Sequence, residues 1–332
     1  MSMTAQVENI LSNFDVSLSN YEIVNIEEKK GWSSKFLFLI VEKTAQFVLK
    51  GKSKDQLGGY LADIAISTYL KEKGFEVRTS IQTHDGKYHY IEDDIYWELK
   101  TYVAGSVEEF VNYTEDSVKT LAKLNISYIN ASLNSKDIHS LQLETKDFLA
   151  NEDMIQTILK YKDTLKSVIG NESETFADWL HFARDEIQHI LTKNTDISII
   201  HNDLNNKNIL LDLTTMHVIS FIDWDHGCIS TPLKDILEPV NMFYDFVLPS
   251  YNTLRSTYLH EIKHNYDLRI SESELNLLQV YFYALNKWKY ITFFAKLITD
   301  LGNSTNELPI FEEQVRSQLS KLKDLGKRCN VF

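Results

Sequence analysis

Residues Ile199-Ile200-His201-Asn202-Asp203-Leu204-Asn205-Asn206-Lys207-Asn208-Ile209-Leu210-Leu211, followed by Phe221-Ile222-Asp223-Trp224-Asp225, decide the reading of this chain. An apolar strand end delivers His201 and Asp203, and a polar loop follows. Asn208 stands five positions after Asp203, where a second apolar run begins at Ile209. Leu213-Thr214-Thr215-Met216 reads as a turn, and His217 to Ile222 as the return strand, which delivers Asp223. A hairpin of this kind brings Asp203, Asn208 and Asp223 into one small volume. Two carboxylates and an amide oxygen are the donors a hard cation such as magnesium prefers.

Phosphoryl transfer needs such a set: one carboxylate to orient a hydroxyl and accept its proton, and an amide and a second carboxylate to hold magnesium against nucleotide phosphates. The stretch resembles the catalytic loop of the protein-kinase-like fold, His-x-Asp with Asn five residues on. It looks closest to the small-molecule branch, which holds aminoglycoside phosphotransferases, choline kinases and spore-coat kinase-like proteins. There the metal-binding Asp lies in an Ile-Asp-Trp/Phe-Asp/Glu context, as in Ile222-Asp223-Trp224-Asp225. The resemblance implies Asp203 as catalytic base, Asn208 and Asp223 as magnesium ligands, and His201 as a structural brace. It also implies ATP or GTP as phosphoryl donor.

Working outward, the sequence has three strand signals near the N-terminus, Tyr21 to Ile26, Phe36 to Val41 and Ala45 to Leu49, after a helix expected over 3–18. In the resemblance, the turn Gly31-Trp32-Ser33-Ser34-Lys35 covers the nucleotide phosphates, with Gly31, Ser33 and Ser34 in contact. Lys50, closing the third strand, meets the phosphates and pairs with an acid on the next helix, Gln56 to Lys73, where Asp63 aligns with the family's glutamate. Asp for Glu shortens that reach by one methylene. Gly51-Lys52-Ser53 is no P-loop, because Gln46 stands where that motif needs its first glycine.

A hairpin is expected at Ile81–Thr83 and Tyr88–Ile91 around Asp85-Gly86. Tyr96 to Val103 then runs into Ala104-Gly105 and resembles the family's inter-lobe hinge, so that backbone groups of Leu99, Thr101 and Val103 would meet the nucleobase. Helical periodicity follows at about 107–128, 146–166 and 173–193. Pro232-Leu233-Lys234-Asp235-Ile236-Leu237 resembles the family's Pro-x-x-Asp-hydrophobic segment, and residues 240–325 read as several helices. The expected fold is therefore α+β and two-lobed: an antiparallel-sheet nucleotide lobe over 1–102, and a mainly helical catalytic and substrate lobe over 103–332.

Composition sets bounds. Of 332 residues, 43% are hydrophobic and 24% charged, as in ordinary globular proteins. Two cysteines are too few for a disulfide framework, and a cytoplasmic setting fits. A net charge of −13 argues against a nucleic-acid partner, and no apolar run reaches membrane-span length. Residues 1–102 carry −3 of that charge and the remainder −10. The excess points to a cationic, hydroxylated acceptor, aminoglycoside-like or choline-like, with Asp225, Glu238 and Asp245 as candidate contacts and Tyr244, Trp288 and Tyr290 as candidate cation–π partners.

Two rivals stand beside this reading. A kinase-like binding protein without strong turnover would keep the same motifs. His260-Glu261-Ile262-Lys263-His264 is a literal zinc-protease motif. Against the latter, Lys263 puts a cation inside the motif, Ala284 stands where a downstream acid is sought, and Tyr266 and Asp267 do not continue the extended form.

Overall fold

The computed structural model describes residues 3–25, 34–43, 45–53, 57–146, 166, 168, 170, 172–301 and 308–329. The chain forms two compact units, one of residues 1–144 with 199–229, the other of residues 145–198 with 230–332. These units follow packing. The 102/103 division expected above follows motif order, and the two do not coincide.

The first unit is built on a five-stranded antiparallel sheet of order β1-β2-β3-β5-β4, with β1 Glu22–Asn25, β2 Ser34–Val41, β3 Gln46–Ser53, β4 Tyr90–Glu92 and β5 Ile95–Thr101. One sheet face is apolar. Phe38, Ile40, Leu49, Trp97 and Leu99 pack there against Val7, Ile10 and Leu11 of α1, Met3–Leu11, and against Phe14. Because side chains alternate along a strand, the other face carries Val48, Lys50 and Lys52 of β3, paired with Lys100, Glu98 and Tyr96 of β5. Helix α2, Leu57–Glu72, buries Tyr60, Asp63, Ile66, Ser67, Tyr69 and Leu70.

The first helix ends at Leu11, well short of residue 18. The Asn13 amide donates to the carbonyls of Asn9 and Ile10, ending the helix, and Phe14 then bridges Thr83 in extended form. The Asp85-Gly86 turn is present, with the Gly86 amide bonded to the Thr83 carbonyl, but the paired hairpin lies one turn later. There β4 meets β5 across Asp93-Asp94, both at positive φ, 50° and 61°, as a two-residue hairpin turn requires. The helix expected from 107 starts at Glu115 instead. Thr114 caps this helix, α3 (Glu115–Ser132), in a reciprocal box with Ser117, and residues before it form only a short 3-10 turn, Phe110–Asn112.

Strand β6, Ser198–Ile200, pairs with β9, Cys228–Ser230, and β7, Ile209–Asp212, with β8, His217–Phe221. β8 packs on α3, where the Val218 amide donates to the Thr120 hydroxyl at 3.0 Å.

The second unit is helical: α4 Glu172–Lys193, α5 Leu233–Phe246, α6 Tyr251–Asn265, α7 Glu272–Leu301 and α8 Leu308–Arg328. Buried α5 packs on both α6 and α7, and α8 packs on α7. The helix expected over 146–166 lies almost wholly outside the described residues. No helix among the described residues is long and apolar enough to cross a membrane.

Candidate active site

The hairpin β7–β8 sets the site. Asn208 and Ile222 meet at its open end, where the Ile222 amide donates to the Asn208 carbonyl at 2.9 Å. The loop before β7 and the residue after β8 are thereby held side by side. His201 is fully buried; its Nε2 donates to the Ile222 carbonyl at 2.8 Å, and its ring lies 4.6 Å from that of Trp224.

Asp203 is half-buried, and both its carboxylate oxygens accept from amides: Oδ1 from Asn205 Nδ2 at 2.9 Å, Oδ2 from Asn208 Nδ2 at 3.0 Å. Asn208 also donates to the Asp203 carbonyl at 2.8 Å. Its amide nitrogen is thus turned toward Asp203, which leaves Asn208 Oδ1 as the atom suited to a hard cation. Asp223 sits just past β8 in the left-handed region, φ 65° and ψ 60°. Asp tolerates this better than most residues, and the conformation turns its carboxylate toward the sheet.

Each lysine on the polar sheet face takes an acid from another element. Lys50 Nζ is 2.8 Å from Asp223 Oδ1. Lys52 bonds Asp225 and lies 3.9 Å from Asp223. Lys100 bonds Asp63 of α2 and sits 3.1 Å from Glu98, which also accepts from Ser80. The pairing expected between Lys50 and Asp63 is therefore not made. Asp63, one methylene short of glutamate, bonds Lys100 instead. One oxygen each of Asp63, Asp223 and Asp225 lie within 4.8 Å of one another. Burial alone would raise the Asp223 pKa, but the charges of Lys50 and Lys52 outweigh it and hold Asp223 well below the usual carboxylate range. For Asp225, burial and the neighbouring Asp223 charge win, and its pKa is raised.

At the expected hinge, the Leu99 carbonyl accepts from the Ile81 amide at 2.7 Å, and the Thr101 amide donates to the Thr79 carbonyl at 2.9 Å. These two groups bond the segment of Thr79 and Ile81, which precedes β4. Val103 lies beyond the end of β5 and is buried. Ser34 begins β2 opposite Lys52, while Gly31 and Ser33 lie outside the described residues.

The three acids considered for the acceptor are each ion-paired within their own unit. Asp225 holds Lys52, Glu238 holds Lys234 at 2.6 Å, and Asp245 holds Lys287 at 2.6 Å while accepting from the Tyr283 hydroxyl. Tyr244 is buried, donating to Asp324 and to the Lys321 carbonyl. The side chains of Trp288 and Tyr290 lie outside the described residues. On α6, His260 and His264 are exposed and Lys263 bonds Glu272 at 2.7 Å, the arrangement of a solvated helix face.

Lys52, Glu98 and Lys100 were not marked by sequence reasoning. For Lys52 the signal was the alternation of β3: extending that strand past Leu49 puts Lys52 on the same face as Lys50.

An antiparallel sheet with a lysine on one face, and a His-x-Asp loop and hairpin carrying Asn and Asp, define the kinase-like class of phosphotransferases. A sequence profile of the phosphotransferase enzyme family matches residues 28–266, and the chain belongs to that family. It is an enzyme of the small-molecule kinase type, with an alcohol group as acceptor. No curated protein matches the sequence. Among solved structures, a microcompartment-associated aminopropanol kinase is 14% identical with a TM-score of 0.66, covering 99% of each chain. A spectinomycin phosphotransferase in complex with ADP and spectinomycin is 12% identical at TM-score 0.64, covering 100% of this chain and 99% of that one. An amicoumacin kinase in complex with AMP-PNP, Ca2+ and Ami is 10% identical at TM-score 0.64, covering 98% of this chain and 94% of that one. At such identities the likeness shows the shared protein-kinase-like α+β fold.

Proposed function

We propose that this enzyme transfers the terminal phosphoryl group of magnesium-bound ATP or GTP to a hydroxyl of a small, positively charged molecule. The observation that carries the reading is the Asp203 carboxylate, oriented by the side-chain amides of Asn205 and Asn208.

In this reading Asp203 accepts the hydroxyl proton as the hydroxyl oxygen attacks the terminal phosphorus. The bond from phosphorus to the bridging oxygen breaks, and the nucleoside diphosphate leaves. Asn208 Oδ1 and Asp223 would hold magnesium, whose charge offsets that of the phosphates. The donor set fits, being carboxylate and amide oxygen only. Lys50, now bonded to Asp223, would meet the phosphates, with Gly31, Ser33 and Ser34 as further phosphate contacts and Leu99, Thr101 and Val103 as the segment facing the nucleobase. Residues 1–102 would form the nucleotide lobe.

A cationic acceptor rests on the net −10 of residues 103–332 and on the amine in the name of the aminopropanol kinase neighbour. With Asp225, Glu238 and Asp245 already paired, it would be drawn by the summed field of the acidic lobe rather than by those three acids alone. A cytoplasmic setting fits two buried cysteines that form no disulfide among the described residues. The test is acceptor-dependent release of ADP or GDP across a panel of amino alcohols, aminoglycosides and neutral polyols. Release with amine-bearing acceptors supports the reading; release confined to neutral or anionic alcohols removes the cationic acceptor.

A further inference from the structure

In the resemblance drawn from sequence, the lysine of β3 is steadied by an acid of the following helix. Here that acid, Asp63, is bonded to Lys100, whose ammonium also lies 3.1 Å from Glu98. The link between the sheet and the segment bearing Asp223 is made elsewhere. Lys52, two residues after Lys50 on the same face, bonds Asp225, two residues after Asp223. Its side chain is 4% exposed and that of Asp225 is 12% exposed. α2 closes on the same point: a Cβ built on Gly59 would lie 2.8 Å from the Asp225 carbonyl oxygen.

Asp223 needs such support. It holds a left-handed backbone at φ 65°, a conformation that persists where its surroundings over-determine it. Its carboxylate also faces Lys50 and, at 3.9 Å, Lys52. A cation held by Asp223 would compete with Lys50 for its carboxylate, while Lys52 keeps its closer bond to Asp225.

We propose that Lys52 is a positioning residue: through Asp225 it fixes the metal-bearing Asp223 relative to Lys50, the task that a β3-lysine–helix-acid pair would otherwise perform. The inference rests on the phosphotransferase reading, and acts one layer outside the groups that touch nucleotide.

The experiment measures affinity for the non-hydrolysable ATP analogue AMP-PNP by calorimetry, with magnesium and with EDTA. Wild-type protein, Lys52→Met, Lys52→Arg, Asp225→Asn and the Lys52→Met/Asp225→Asn pair are compared. Partners one layer out from a metal ligand are worth about 10- to 100-fold in metal affinity. Lys52→Met is expected to lower AMP-PNP affinity by about tenfold with magnesium and less than about twofold with EDTA. Lys52→Arg recovers most of the loss. Asp225→Asn matches Lys52→Met, and the double variant is no worse than either, as coupled residues behave. Should Lys52→Met not fold, Asp225→Asn and Lys52→Arg carry the same comparison. Equal losses with and without magnesium would make Lys52 a direct phosphate contact and overturn the inference, as would additive losses or none. Absence of magnesium-dependent binding in the wild-type protein would overturn the phosphotransferase reading itself.

Discussion

Asp203 shows how far single residues carry the chemistry. Its two oxygens are held by Asn205 and Asn208, both within five residues, so the local sequence alone orients this carboxylate. Asp203→Asn keeps the shape and removes the proton acceptor. We expect kcat to fall by at least about a hundredfold while nucleotide affinity stays within about threefold, as measured by coupled turnover and calorimetry. Retention of a tenth of the activity would remove Asp203 from that role. His260→Ala with His264→Ala should change neither activity nor metal content, because both side chains are exposed and Lys263 is bound to Glu272. Stoichiometric zinc lost together with activity would revive the hydrolase alternative. The contact of Asp203 with Asn208 was legible in the sequence because their spacing is local. Lys100 was not, because its partner Asp63 lies 37 positions away and on another element.

At the scale of elements, α2 and β5 meet through a buried charge cluster. Lys100 is 6% exposed, Asp63 and Glu98 2% each. Lys100→Met would leave two buried carboxylates facing each other without their cation. We expect a loss of about 3–5 kcal/mol in denaturant-induced unfolding, since breaking a buried pair from one side leaves an uncompensated charge. Lys100→Met with Asp63→Asn and Glu98→Gln should recover part of that loss, and a triple variant no more stable than Lys100→Met would refute the charge argument. Gly59→Ala should cost about 1–3 kcal/mol, because the added methyl meets the backbone carbonyl of Asp225, which has little room to yield. Most strands were readable from apolar runs. The errors came where side-chain hydrogen bonds end a helix early, at Asn13, or begin it late, at Thr114, and where Asp93-Asp94 rather than Asp85-Gly86 turns the paired hairpin. Lys50 was read as closing β3, although the strand continues to Ser53.

For the whole molecule, charge is the property that sequence states and local structure does not. The net −10 of residues 103–332 predicts that kcat/KM for a cationic acceptor falls as ionic strength rises from about 0.01 to 0.15 M, where the screening length shrinks from about 30 to 8 Å. A flat profile would confine the acidity to solubility and leave the phosphotransferase assignment standing. The packing units add what no motif order could show: the lysines of β3, the acid of α2, the His-x-Asp loop and Asp223 all belong to the unit of residues 1–144 and 199–229. The central claim, phosphoryl transfer through Asp203, is tested most directly by 31P NMR of the protein with magnesium, ATP or GTP and a panel of hydroxylated amines, run beside Asp203→Asn. The account predicts a new phosphoester resonance and matching ADP or GDP in the wild-type sample, both absent in the variant. Nucleotide binding without any acceptor-dependent phosphoester, or equal phosphoester formation by Asp203→Asn, would contradict it.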